Sequence, residues 1–202
     1  MFIGKKAPEN SWRTMGIIGA CRSVGVTHLA VWTANYLTGA RRERTAVLEW
    51  NCHGDFERMG KFCMGQYSRE GKKQGLYRIL EVDYYARAGM EELAACLNEG
   101  YQYIIVDYGE ITGQNLLDCA RCDLKVIVGS LSEWQAKMFS GAVTGKEKRD
   151  TSWRYAIAFG SEEARKRMER CFRIPVKRIP DSRDVFVVTR ADMNFFTELL
   201  GD

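Results

Sequence analysis

The sequence contains few prolines, few histidines and no long apolar run, and each scarcity argues against a class of structure. With three prolines in 202 residues and no stretch rich in serine, glycine and proline, no linker divides the chain, so we expect one domain over residues 1–202. No run of about 18 apolar residues occurs, which predicts that no segment spans a membrane. The polar start MFIGKKAPENSW predicts no signal peptide.

The histidine and cysteine content argues against a metal or redox centre. A zinc site at a cysteine pair needs four ligands, and the only histidines, His28 and His53, lie near the carboxyl ends of the first two predicted strands. Two histidines also give no Ser-His-Asp arrangement. The only C-x-x-C pair, Cys119 and Cys122, precedes a predicted strand, whereas a thioredoxin-like pair starts a helix after one. We therefore expect structural cysteines. Seven scattered cysteines without an export signal indicate reduced thiols and a cytoplasmic protein.

The net charge of +4 is modest, but basic residues are unevenly distributed along the chain. One segment concentrates several of them: Arg165, Lys166, Arg167, Arg170, Arg173, Lys177 and Arg178. Such a run is typical of a solvated helix face, and it is also typical of a patch that binds DNA, acidic lipid or an acidic protein. The sequence leaves both interpretations open.

Short β-rich runs alternate with amphipathic helical runs. This alternation predicts an α/β fold with three layers, in which a mostly parallel sheet of seven or eight strands carries helices on both faces. Residues 103–106 are apolar or aromatic and lead to Asp107, as in a buried central strand. Residues 78–85 predict one further strand because they are rich in β-branched and aromatic residues, and residues 51–73 are the least readable part.

The segment from Met15 to His28 predicts a strand, a turn of small residues and the start of a helix. A phosphate-binding loop with the pattern G-x-x-x-x-G-K-[ST] belongs in this context, but the pattern is met only in part. Gly25 and Thr27 are present, whereas Val26 stands at the lysine position and Ala20 at the first glycine. The sequence thus retains the small residues expected in such a loop but not the lysine that binds the β- and γ-phosphates.

Three strand ends are expected to meet at this loop. In open parallel sheets, ligands bind beyond the carboxyl ends of the strands. The first loop, residues 49–51 after the second strand, and Asp107 should therefore surround one crevice. That convergence is a stronger indication of a phosphate site than the loop alone.

With these segments in order, the chain resembles the ParA/MinD family of deviant-Walker P-loop ATPases over nearly its whole length. Residues 20–27 lie where the family has G-K-G-G-V-G-K-T, and residues 47–51 lie where it has a hydrophobic strand ending in D-x-D. Residues 101–107, YQYIIVD, match its Y-D-Y-I-I-I-D strand. Residues 174–176 and 179–180 resemble its late strand and I-P turn, whose loop approaches the adenine. The resemblance implies a P-loop NTPase-like fold.

The departures from the family fall on its charged positions. Val26 replaces the Walker lysine, and Cys21 replaces the signature lysine that reaches the partner's phosphates across a dimer. Glu49 and Asn51 replace two aspartates that assist magnesium and the attacking water. Each lost charge-assisted hydrogen bond costs about 1.5–3 kcal/mol, or roughly 10-fold to 100-fold in affinity. We therefore expect weak nucleotide binding and little turnover.

The residues that remain predict a weak site for ATP or ADP with magnesium, and no catalytic residue is assigned. The resemblance implies that Thr27 and Asp107 ligate Mg²⁺, and Arg22 could supply a displaced positive charge. Backbone N–H groups at a helix N-terminus also favour an anion. The candidate nucleotide-binding residues are Cys21, Arg22, Ser23, Val24, Gly25, Val26, Thr27, His28, Glu49, Asn51 and Asp107.

The resemblance favours a non-catalytic or weakly nucleotide-binding protein that acts in subcellular positioning or assembly. The family members tied to tight-adherence (Flp) pilus assembly are the most similar, which implies a homodimer with protein partners, in the cytoplasm or peripheral to the inner face of the membrane. One alternative is an active ATPase in which Arg22, Lys5 or Lys6 replaces the Walker lysine. Another is a partition-type protein that binds DNA non-specifically through residues 165–178.

Overall fold

The computed structural model describes residues 13–63, 68–70, 75–144 and 150–201. Its strands are β1 (Thr14–Gly19), β2 (Thr45–Glu49), β3 (Ser68–Glu70), β4 (Leu76–Ile79), β5 (Val82–Tyr85), β6 (Tyr103–Glu110), β7 (Leu124–Ser130), β8 (Trp153–Phe159) and β9 (Val176–Arg178). Its helices are α1 (Val26–Gly39), α2 (Asp55–Cys63), α3 (Met90–Asn98), α4 (Gly113–Cys119), α5 (Ala136–Val143), α6 (Glu162–Phe172) and α7 (Met193–Leu200).

All of these strands belong to one sheet with the order β3-β4-β5-β2-β6-β1-β7-β8-β9. The run from β5 to β9 is parallel throughout, and β4 and β3 extend its β5 edge as antiparallel strands. β1 and β6 lie at the centre, where their side chains are almost all buried. The mostly parallel α/β sheet predicted from the sequence is confirmed.

The described residues form nine strands rather than seven or eight. Residues 78–85, expected as one strand, contain a tight turn, so β4 ends at Ile79 and β5 begins at Val82. The turn residues Leu80 and Glu81 have φ values of 46° and 68°, a left-handed conformation that such residue types rarely adopt. Because the turn contains neither glycine nor asparagine, the residue types that usually adopt this conformation, the sequence gives no indication of a turn here. The short strand β3 lies within residues 51–73, the part of the chain whose secondary structure is hardest to predict from the sequence.

Helices cover both faces of the sheet. On one face α1, α2 and α7 bury a core that includes Trp32 and Phe196, and on the other α3 to α6 bury a core that includes Cys96 and Phe139. These two cores make the three-layer arrangement that the alternating sequence pattern predicts. Within the described part of the chain, no helix combines the length and the apolar character needed to cross a membrane.

Helix α1 is fixed in place by the C-terminal helix. The Phe196 ring stacks on Tyr36 at a centroid distance of 4.5 Å and packs edge-on against Trp32 at 4.9 Å. The Trp32 Nε1–H also donates a hydrogen bond of 3.0 Å to the Val187 carbonyl oxygen. Aromatic pairs of this kind contribute beyond the area they bury. They hold α1, and with it the loop that precedes it, against the sheet.

Candidate functional site

The loop between β1 and α1 has the compact shape of a phosphate-binding loop. Ser23 and Gly25 have positive φ values of 60° and 90°, and Gly25 stands at the start of α1. Because that residue is a glycine, no side chain caps the helix, and its first N–H groups are available to an anion. The positive end of the helix dipole adds to this preference.

Val26 is packed into the core at the base of the loop. Its side chain is only 8% exposed and belongs to the apolar core beneath α1. A Cβ placed on Gly19 would lie 2.8 Å from Cγ2 of Val26, so the valine fills the space directly beside the end of β1. The position where the resemblance expects the Walker lysine thus serves packing and brings no charge to the loop.

Thr27 and Asp107 are joined beneath the loop. The Thr27 hydroxyl donates a hydrogen bond of 2.6 Å to Oδ2 of Asp107, and the Gly109 N–H donates one of 2.9 Å to Oδ1. Burial raises the pKa of Asp107 to about 6, although both hydrogen bonds oppose that rise. The two side chains offer hard oxygen donors, the ligand class that Mg²⁺ prefers, so they fit the metal that the resemblance implies.

Glu49 is fully buried, and its carboxylate caps α2. Oε1 accepts hydrogen bonds from the N–H groups of Asp55 and Phe56 at 2.5 and 3.3 Å, and Oε2 accepts one from the Arg87 N–H at 3.3 Å. A carboxylate at a helix N-terminus is favourable because it satisfies free N–H groups and faces the positive dipole end. Glu49 therefore supports the wall of the site.

Asn51 ties the end of β2 to the end of β6. Its Nδ2 donates to the Asp107 carbonyl oxygen at 3.1 Å, and its Oδ1 accepts from the His53 N–H at 2.9 Å. These bonds shape the loop before α2 and leave the side chain half-buried.

A crevice of about 520 Å³ opens above the loop. Candidates Cys21 to His28 all line it, whereas Glu49, Asn51 and Asp107 do not. Its other wall was missed by sequence reasoning and consists of Cys52, His53, Asp55, Arg58, Gly109 and Glu110. Most of that wall comes from the start of the least readable stretch, where only the acidic first turn of α2, with Asp55 and Glu57, could have indicated a helix.

A second crevice of about 420 Å³ continues from the first. The two share Ser23 to Gly25 and His28, and the second is closed by residues 158–159 and 178–182, including Ile179 and Pro180. These are the residues that resemble the family's I-P turn. Burial lowers the pKa of His28 below its ordinary value, and the Asp181 carboxylate partly offsets that effect.

The sequence offered three cations, Arg22, Lys5 and Lys6, as replacements for the missing lysine. The Arg22 side chain is 71% exposed, and its Nε lies 3.9 Å from Oε1 of Glu110, too far for a hydrogen bond. Lys5 and Lys6 lie outside the described residues. Arg58, which the sequence did not single out, lines the crevice and pairs with Asp55 at 2.6 Å.

The basic segment is partly neutralised by acids. Arg165 pairs with Glu162 and Glu169, and Lys177 pairs with Glu198. Arg178 lies 3.7 Å from Glu162 and donates to the Gly160 carbonyl oxygen. Four cations are exposed and form no ion pair with any residue in the described ranges: Lys166, Arg167, Arg170 and Arg173.

The C-x-x-C cysteines pack against the central strand. A Cβ placed on Gly16 would lie 2.7 Å from Sγ of Cys119 and 3.1 Å from Sγ of Cys122. Both thiols are buried, and burial raises the pKa of Cys122 to about 11. Over the ranges that the structure covers, no group of three or more His, Cys, Asp or Glu side chains could hold a metal ion. These features favour the structural role expected for the pair.

No known family profile matches the sequence, and no curated protein matches it. Solved structures do match the fold. MinD of Aquifex aeolicus aligns with a TM-score of 0.60 and 15% identity over 92% of this chain and 85% of its own. A candidate plasmid partition protein of Borrelia burgdorferi B31, bound to AMPPNP, aligns with a TM-score of 0.61 and 12% identity over 95% and 98%.

A ParA family ATPase of Chlorobium tepidum TLS aligns with a TM-score of 0.53 and 15% identity over 86% of this chain and 87% of its own. At such identities the likeness concerns the fold. The chain therefore has the P-loop NTPase-like α/β fold that these ParA and MinD proteins share.

Proposed function

We propose that this protein is a ParA/MinD-like factor that binds nucleotide weakly and does not hydrolyse it at an appreciable rate. The observation that carries the proposal is the burial of Val26 beside Gly19, at the position of the Walker lysine. A phosphate in the loop would meet backbone N–H groups but no ammonium from this position. Phosphoryl transfer depends on positioning and charge neutralisation, so losing that cation harms turnover more than binding.

The charges of the crevice also support weak binding. Arg22 and Arg58 are balanced by Asp55 and Glu110, so the fixed charges of the described lining residues cancel. A polyphosphate entering this crevice gains little from the overall field and depends on individual contacts and on its magnesium ion. Thr27, which lines the crevice, would hold that ion together with Asp107, which is buried beneath the loop and hydrogen-bonded to the Thr27 hydroxyl, with ATP or ADP as the nucleotide.

The proposed cellular role is positioning or assembly, of a pilus or secretion apparatus such as the tight-adherence (Flp) type. The support is the fold shared with a cell division protein and a candidate plasmid partition protein, together with the resemblance of the sequence motifs. We propose one domain that acts as a homodimer with protein partners, in the cytoplasm or peripheral to the inner face of the membrane. Light scattering with and without nucleotide tests the dimer.

Calorimetry with Mg·ATP and a phosphate-release assay test the nucleotide proposal. We expect affinity weaker than micromolar, and phosphate release no faster than that of an Asp107→Ala variant. Micromolar affinity together with turnover that Asp107→Ala abolishes would overturn the proposal. It would favour the active ATPase, in which Arg22, or Lys5 or Lys6 outside the described residues, replaces the missing lysine.

A second candidate function is non-specific DNA binding. The observation that favours it is the set of four exposed cations on and after α6, Lys166, Arg167, Arg170 and Arg173, which form no ion pair within the described ranges. Uncompensated cations on one segment attract a phosphate backbone.

A further inference from the structure

We propose that Arg58, on helix α2, binds the phosphate group of the ligand in this crevice. The inference rests on the proposed function, because it assumes that the crevice receives a phosphorylated ligand. The ligand class is a nucleoside di- or triphosphate or a free polyphosphate. Arg58 belongs to α2, which the phosphate-loop pattern does not include.

Arg58 faces the crevice that the loop also lines. The crevice is lined both by residues 21–28 and by Cys52, His53, Asp55 and Arg58. Among the described residues that line the crevice, the permanent cations are Arg22 and Arg58, because the buried Val26 brings no charge. Of the described side chains, these two guanidinium groups are the ones in the crevice that can pair with a phosphate seated on the N–H groups of the loop.

The surroundings of the two arginines favour Arg58. Its Nη2 donates a hydrogen bond of 2.6 Å to Oδ1 of Asp55, which restricts the side chain while other guanidinium N–H groups stay available. Arg22, by contrast, makes no hydrogen bond to Glu110, whose Oε1 is 3.9 Å from Nε, so its side chain is less restricted.

The position of α2 itself is fixed by the buried carboxylate of Glu49. That carboxylate accepts hydrogen bonds from the N–H groups of Asp55 and Phe56, so the first turn of α2 is tied to the end of β2. Arg58 follows within the next turn, and its N–H donates to the Gly54 carbonyl oxygen at 3.2 Å. The backbone of α2 is thus fixed and the ion pair with Asp55 restricts the guanidinium, so Arg58 loses less freedom on binding, and its planar fork suits a phosphate.

The test is calorimetric titration of the full chain and its variants with Mg·ATP, Mg·ADP and magnesium pyrophosphate. R58Q should weaken binding of all three by about 10-fold to 100-fold, because a charge-assisted hydrogen bond is lost. R58K, which keeps the charge and loses the fork, should fall between R58Q and the wild type. R121Q is the matched control, because Arg121 is also exposed and also pairs with an acid three residues away, Asp118, but does not line the crevice.

The outcomes separate this inference from the proposed function. R58Q affinity within about twofold of wild type, or equal weakening by R121Q, would overturn the role of Arg58 alone. Absence of binding by the wild-type protein to any of the three probes would overturn both the role of Arg58 and the proposal of weak nucleotide binding. A third outcome is that the protein binds pyrophosphate at least as tightly as ATP and ADP, and that R58Q weakens this binding. Arg58 would then still be the phosphate ligand, and the natural ligand would be a free polyphosphate rather than a nucleotide.

Discussion

The hydroxyl of Thr27 donates a hydrogen bond of 2.6 Å to Oδ2 of Asp107, joining side chains that are 80 positions apart in the sequence. Thr27 lies in the first turn of α1, and Asp107 lies on the central strand β6. The bond therefore fastens the first turn of α1, and the loop that precedes it, to the middle of the sheet. Asp107 is fully buried and its pKa is raised to about 6, so the same bond sits beside a carboxylate that is costly to ionise.

Asp107→Asn should make the free energy of unfolding less dependent on pH. The folded protein holds the Asp107 proton up to about pH 6, against an ordinary value of 3.8, so between these values it binds more protons than the unfolded chain. Stability from this group is therefore lost as the pH rises, by about 3 kcal/mol in total. Urea denaturation at intervals from pH 3.5 to 7 measures it. Asparagine still offers an oxygen to the Gly109 N–H and an amide group to the Thr27 hydroxyl. The stability of the variant relative to that of the wild type should therefore increase as the pH rises.

The comparison between the two proteins isolates Asp107, because the other titrating groups are common to both. Asp150, for example, has a pKa lowered by hydrogen bonds from Ser152 and opposes the trend equally in each. A difference in stability that stays constant over this pH range would contradict the raised pKa.

Glu49→Ala should destabilise the protein by about 2–4 kcal/mol, because three N–H donors lose their shared acceptor. Glu49→Gln keeps one oxygen for Asp55 and Phe56 and should cost less. The midpoint of urea unfolding measures both, with Glu133→Ala at an exposed position as the control. If Glu49→Ala matches that control, the carboxylate does not support α2.

The central part of the fold could be predicted because its signals are local. Apolar strands such as residues 103–106 and the small-residue loop before α1 are visible in a few consecutive residues. The wall formed by His53 to Arg58 could not be predicted, since its position depends on Glu49, which binds it through backbone N–H groups from a separate strand. Likewise, Val26 could be read as a lost lysine, but its contact with Gly19 appears only once β1 and α1 are packed together.

Gly16→Ala should destabilise the protein by about 1–3 kcal/mol through overpacking. The new methyl group would lie 2.7 Å from the Cys119 sulfur and 3.1 Å from both the Cys122 sulfur and Cε2 of Tyr108. Cys119→Ala in the same protein removes the nearest atom, so the double variant should lose less stability than the two single changes added together. Thermal denaturation of the four proteins completes the cycle. Strict additivity would show that the two residues do not compete for space.

Charge reversal on α6 should abolish binding to duplex DNA, if the exposed cations serve as its ligands. Lys166, Arg167, Arg170 and Arg173 supply four contacts, which predicts a slope of about −3.6 for log K against log salt concentration. Fluorescence anisotropy with duplexes of unrelated sequence, over a range of salt concentrations, measures it. The variant K166E/R167E/R170E spares Arg165, whose pairs with Glu162 and Glu169 hold α6 together.

The control for this experiment carries the same change in net charge at dispersed places. R42E/K61E/R121E reverses three exposed cations outside α6 and should keep most of the binding, because it leaves the four cations of the patch intact. Equal losses from both triple variants would show that net charge alone attracts DNA. No binding by the wild-type protein even at low salt would eliminate the DNA function, and the basic segment would then be a solvated helix face whose charges are partly balanced by Glu162, Glu169 and Glu198.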